Sequence, residues 1–165
     1  MNIHSGPHHA GAQIRNLQEW VHDPYFSKQK LSEPATCPKC GAVYRAGRWV
    51  WGSAASDTNR VTCPACQRIQ DHCPAGFVTL SGDFLQRHKK EILQLLRNTE
   101  QHENAEHPLK RMMALTHQHD GGVEITVTDP HLARAMGEAV RHAYQGQLDL
   151  DYQVREYLLR VRWAR

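Results

Sequence analysis

Cys37-Pro-Lys-Cys40-Gly41 and Cys63-Pro-Ala-Cys66 together spell C-x2-C-x22-C-x2-C, the spacing of a four-thiolate zinc ribbon. A C-P-x-C turn aims two sulfurs inward, and two such knuckles close a tetrahedron with Zn–S distances of about 2.3 Å. Cys37, Cys40, Cys63 and Cys66 are therefore the candidate ligands of one structural Zn²⁺, because a closed tetrahedron leaves no position for substrate. A redox dithiol pair and iron are the alternatives, since iron also accepts four thiolates. Between the knuckles, Ala42-Val-Tyr-Arg45 and Gly47-Arg-Trp-Val-Trp51 read as strands, and Gly52 to Asn59 as an exposed returning loop. This ribbon, residues 34–75, is too short to bury a stable apolar core unaided, so the metal is expected to supply most of its folding free energy.

Downstream, residues 76–165 change pattern. Phe77-Val-Thr-Leu80 is a short strand. Asp83 and Gln86 form a variant capping box that opens a helix carrying Phe84, Leu85, His88, Ile92, Leu95, Leu96 and Thr99 on one face, with Pro108 as its latest end. Met112 to His117 and Val123 to Thr128 are strand-like runs joined by a hairpin at Asp120-Gly-Gly122. Asp129-Pro130 starts a second helix with Leu132, Ala133, Met136, Val140 and Tyr144 on a stripe, and Gly146 closes it. Tyr157 to Trp163 is the last strand. The order β-α-β-β-α-β predicts an α+β, ferredoxin-like domain with two helices on one face of a four-stranded antiparallel sheet. Period-two alternation places Tyr157, Leu159, Val161 and Trp163 on one side of the last strand, and Arg160 and Arg162 on the open face.

Upstream, residues 1–33 are rich in His, Gln, Gly and Pro and read as a flexible arm, with His4, His8 and His9 solvated and a short amphipathic stretch at Ile14, Leu17, Trp20 and Val21. Trp20, Tyr25 and Phe26 are its candidate anchors for a partner. No apolar leader opens the sequence and nowhere do eighteen apolar residues run together, which points to the cytoplasm and away from a membrane. Cys73, at the junction of the two domains, reads as a half-buried small residue.

Formal net charge is +3, and its distribution is informative. Residues 76–165 hold twelve basic and twelve acidic side chains, whereas the ribbon holds Lys39, Arg45, Arg48, Arg60 and Arg68 against Asp57 and Asp71. This local patch permits a nucleic-acid partner. Arg45, Arg48, Arg60 and Arg68 are candidate phosphate contacts, Trp49 a candidate base-stacking residue, and Arg160 and Arg162 a second contact. At least one of Trp49 and Trp51 is expected in the ribbon core. The third strand alternates Val123, Ile125 and Val127 with Glu124, Thr126 and Thr128, so it offers no aromatic RNA-stacking platform, and any RNA is held through backbone and shape. Phosphate-binding and nucleophile-elbow loops are lacking, and His102 and His107 lie about 140° apart around a helix, so neither gives support for an enzyme.

The ordered combination of Cys37-x-x-Cys40-Gly41, Gly47-x-Trp49, Cys63-x-x-Cys66, His119-Asp-Gly121 and Thr128-Asp-Pro-His-Leu-Ala resembles the archaeal and eukaryotic large-ribosomal-subunit export adaptor family, over roughly residues 36 to 150. It is also similar to a short bacterial protein family with the same core. The resemblance implies contact with rRNA or the large ribosomal subunit during maturation and, residue by residue, zinc ligation by Cys37, Cys40, Cys63 and Cys66. The further cysteine pairs, later β-barrel domains and export signals of that family are lacking here, so export itself does not transfer. The expected function is a non-enzymatic, zinc-binding protein that docks on rRNA or the ribosome. A zinc-ribbon adaptor for a protein partner is the alternative, and a thiol redox enzyme a third.

Overall fold

A computed structural model of the chain describes residues 23–26, 31–153 and 155–165. The histidines of the arm and its stretch at Ile14, Leu17, Trp20 and Val21 lie outside the described residues.

The first unit is a small sheet of four short strands, β1 (Ala35–Thr36), β2 (Val43–Arg45), β3 (Arg48–Val50) and β4 (Asn59–Arg60), in the order β3-β2-β1-β4. Strands β2 and β3 fall within the two runs, 42–45 and 47–51, that read as strands. The two-residue turn between them, Ala46-Gly47, has φ of 50° and 77°. Two successive left-handed residues suit the twist of a tight hairpin, and the Glu33 carboxylate holds this one by accepting from Ala46 N at 2.7 Å and Gly47 N at 3.0 Å. Sequence reading did not foresee α1 (Pro64–Asp71), which grows directly out of the second knuckle: Cys63 is its N-cap and Pro64 occupies the first turn.

The second unit follows as β5 (Gly76–Ser81), α2 (Asp83–Glu106), β6 (Met112–His117), β7 (Val123–Val127), α3 (Pro130–Tyr144), β8 (Gln147–Tyr152) and β9 (Leu159–Ala164). The order is thus β-α-β-β-α-β-β, with five strands where four were expected, arranged β6-β7-β5-β9-β8. The added strand is β8. Leu148 and Leu150 pack against the core while Asp149 faces solvent, an alternation hidden by the poor strand propensity of Asp149 and Asp151. Because β8 takes the outer edge and turns back, β9 enters the middle of the sheet and pairs parallel with β5, not antiparallel.

Helix α3 starts as predicted, with Asp129 Oδ1 accepting from His131 N at 2.7 Å and Leu132 N at 3.3 Å. The capping box on α2 does not form. Gly82 is the N-cap with no side-chain bond, and Asp83 is already helical. Between the sheet and the two helices, Val78, Leu80, Ile92, Leu96, Ile125, Leu132, Met136, Val161 and Trp163 make one buried core. The opposite sheet face is open. No described helix is long and apolar enough to cross a membrane.

Candidate metal centre

The four cysteines converge. Their Sγ atoms all lie within 4.8 Å of one another, and Cys40 Sγ is 3.7 Å from Cys63 Sγ. The edge of a tetrahedron with 2.3 Å metal–sulfur bonds is about 3.8 Å. Backbone geometry builds the first knuckle: Cys37 N donates to Ala42 O at 2.8 Å and Gly41 N to Cys37 O at 2.9 Å, with Gly41 turning at a φ of 80°. The second is built by the start of α1, where Cys66 N donates to Cys63 Sγ at 3.4 Å. Cys63 N in turn donates to Cys37 Sγ at 3.4 Å and joins the knuckles. None of the cysteines is in a disulfide.

Charge balance also suits a bound cation. Burial opposes the Cys37 thiolate, yet N–H groups of Cys63, Cys40 and Lys39 outweigh it and pull its pKa down to about 6. Burial pushes the thiols of Cys40 and Cys63 up. The Arg111 guanidinium closes the far side, donating from Nη2 to Cys66 Sγ at 3.2 Å and Cys63 Sγ at 3.4 Å. Burial works against the Arg111 charge, but its bond to Cys66 and the charges of Cys66, Cys63 and Cys40 hold its pKa above the usual arginine value. Such a set of four converging sulfurs, backed by N–H donors, can hold one metal ion. Cys37, Cys63 and Cys66 are 1%, 0% and 6% exposed and Cys40 is half-buried, so the four sulfurs sit largely inside the fold. Among the described residues no other group of three His, Cys, Asp or Glu is placed to bind metal, His102 and His107 included.

The candidate RNA contacts separate into two groups. Arg45, Arg48 and Arg60 are exposed. Register pairs Arg45 with Arg48, Val43 with both Val50 and Thr36, and Thr36 with Arg60, so all three arginines share one face of the ribbon sheet. None has a carboxylate within ion-pair distance among the described residues; Arg45 Nη2 donates to Ser53 O at 3.3 Å. Trp49 points to the other face, packing on the cysteine cluster and lying 5.5 Å from the Tyr44 ring. It is half-buried against the cysteines, whereas Trp51 is exposed and donates its indole N–H to Asn104 O at 2.6 Å.

The other arginines each have a partner within the chain. Arg68 is 3% exposed, paired with Asp23 at 2.5 Å and set between the rings of Tyr25 and Tyr157, at 4.4 and 5.6 Å from their centroids. It faces no solvent phosphate, because residues 23–26 cover it. Arg160 lies 4.4 Å over the Phe77 ring. Arg162 pairs with Asp149 at 2.9 Å and lies 3.9 Å from Asp151. With Glu124 added, the open face of the large sheet carries three carboxylates against two guanidinium groups. Cys73 is exposed, not half-buried.

Sequence reasoning missed Arg111, Glu33 and Asp23, whose roles depend on contacts 48, 13 and 45 residues away along the chain. A groove of about 390 Å³ also runs between the ribbon and the second unit, lined by Tyr25, Phe26, Tyr44, Trp49, Pro108 and Leu109 among others. Comparison of the chain with protein-family models, with curated proteins and with solved structures returns no match, so the centre's own geometry carries the functional reading.

Proposed function

We propose that the chain is a non-enzymatic, cytoplasmic zinc protein whose ribbon docks on RNA, with rRNA of the large ribosomal subunit as the intended partner. The four sulfurs are soft donors in a compact, closed arrangement, which suits Zn²⁺ in a structural role. A thiol redox enzyme needs an accessible low-pKa dithiol, and the one thiol drawn down here, Cys37, is buried.

One observation supports the RNA reading above the rest: Arg45, Arg48 and Arg60 stand exposed on one face with no carboxylate partner among the described residues. Arg45 and Arg48 are directly opposed in the register, and like charges in that position destabilise a hairpin. A phosphate between them removes the repulsion. The contact is expected to be largely independent of base identity, because Trp49 lies on the opposite face of the ribbon sheet from the arginines. Arg160 and Arg162 stand apart from this patch: Arg162 is ion-paired with Asp149, and Arg160 is half-buried over the Phe77 ring on a face that carries three carboxylates.

Sedimentation of the tagged protein through sucrose gradients, at low and high salt and with and without ribonuclease, tests this. Co-migration with a ribosomal subunit that is lost at high salt supports it. Each of the three arginines changed to Gln is expected to reduce the slope of log affinity against log salt by about 0.7 to 0.9, whereas Arg160→Gln and Arg162→Gln leave it unchanged. A flat salt dependence refutes it. The aromatic groove beside Leu109 favours a protein adaptor as second reading, which predicts a partner retained through nuclease and high salt.

A further inference from the structure

Arg111 belongs to the second unit by its backbone and to the ribbon by its side chain. Its N–H donates to Thr128 Oγ1 at 2.9 Å and its carbonyl accepts from Thr128 N at 2.9 Å. The Thr128 hydroxyl, in a residue only 4% exposed, donates to Leu109 O at 2.6 Å. Residues 109–111 are thereby fixed to the end of β7. From this anchor Leu109 packs on the cysteine cluster and the guanidinium reaches Cys63 and Cys66. Arg111 Nε is buried with no hydrogen-bond partner among the described residues, so the negative charge of the sulfurs is what offsets this cation's desolvation.

We infer that Arg111 couples metal occupancy to docking of the ribbon on the five-stranded sheet. The inference rests on reading the cysteine cluster as a metal centre. Four thiolates around a divalent ion carry an excess negative charge, held at fixed positions, and Arg111 Nη2, shared between two of the sulfurs, both orients those ligands and offsets that charge. Coupling between sites is reciprocal. Loosening the anchor at Thr128, which has no hydrogen bond to a cysteine among the described residues, therefore weakens metal binding, and removing the metal loosens residues 109–111.

Zinc affinity of the full chain, measured by competition with a chromophoric chelator, tests the coupling together with amide exchange at Arg111 and Thr128 before and after metal removal. Arg111→Met is expected to bind zinc about 10- to 100-fold more weakly. Arg111→Lys keeps the charge without the planar guanidinium and falls between Met and wild type, a rescue that a purely space-filling role does not predict. Thr128→Val is expected to lose about 5-fold, and chelation to speed exchange at both amides. Wild-type affinity in Arg111→Lys and Thr128→Val, with exchange unaffected by chelation, overturns the coupling even if Arg111→Met does not fold. A wild-type chain that binds no stoichiometric zinc overturns the metal centre itself, and the coupling with it.

Discussion

Removing the metal is expected to unfold the ribbon and leave the five-stranded sheet standing. Apart from the ligands, the fully buried apolar side chains of residues 34–66 are Ala35, Ala42, Val43 and Ala65. Their six side-chain carbons contribute about 5 kcal/mol at about 0.8 kcal/mol each. Structural zinc in a small module supplies on the order of 10 kcal/mol or more, so the metal outweighs the ribbon's own core. The second unit instead buries sixteen side chains from Val78 to Trp163 in one cluster. Hydrogen exchange with and without chelator reads the difference. In the zinc-loaded protein the amides of Cys37, Gly41, Val61 and Gln67 are protected by their bonds to Ala42, Cys37, Thr36 and Cys63 carbonyls. After chelation they are expected to exchange freely, while amides along β5 and β9 stay protected. Knuckle amides that remain protected once metal analysis shows complete removal refute this reasoning.

Other perturbations have equally direct expectations. Arg68→Met leaves Asp23 without its cation and takes away two ring contacts, which costs about 3 kcal/mol. That lowers Tm by about 6 to 12 °C in calorimetry without changing the salt dependence of RNA binding. Gly137→Ala sets a Cβ 2.5 Å from Val161 Cγ1. Overpacking of about 1 to 3 kcal/mol then exceeds the gain in helix propensity of about 1 kcal/mol, seen as a lower urea midpoint. Glu103 has its pKa held below the ordinary 4.5, chiefly by its hydrogen bond from Lys110. Its contribution to stability is present above that ordinary value and is lost as pH falls through the lower folded value. Glu103→Gln is therefore expected to flatten stability against pH on the acid side and leave the neutral region unaltered in slope.

What sequence could convey was mostly local. The knuckles are read from spacing, α3 from Asp129-Pro130, and the β6–β7 hairpin from Asp120-Gly-Gly122, because each is decided by residues within a few positions of one another. The rest turned on partners distant in sequence. Overlooking β8 cost two conclusions together: the sheet order, and the fate of Arg162, whose carboxylates lie on that strand. Arg68 looked like surface charge because Asp23, forty-five residues earlier, gives no sign of covering it. Arg111 carried no motif at all. Its importance comes from the meeting of two units, which no window of sequence contains.

The parallel seam between β5 and β9 also has a consequence for how the chain assembles. It joins Gly76 to Leu159, a separation of 83 residues, from 159 less 76. Contacts that distant close late and slow folding. Strand β5 can pair with β7 and collect α2 and α3, but its other edge stays bare until the β8–β9 hairpin arrives. An unpaired edge carrying Val78 and Leu80 is a template for pairing between molecules. A nascent chain halted before Leu159 is thus at its most aggregation-prone, and the last six strand residues act as the seal that ends that exposure.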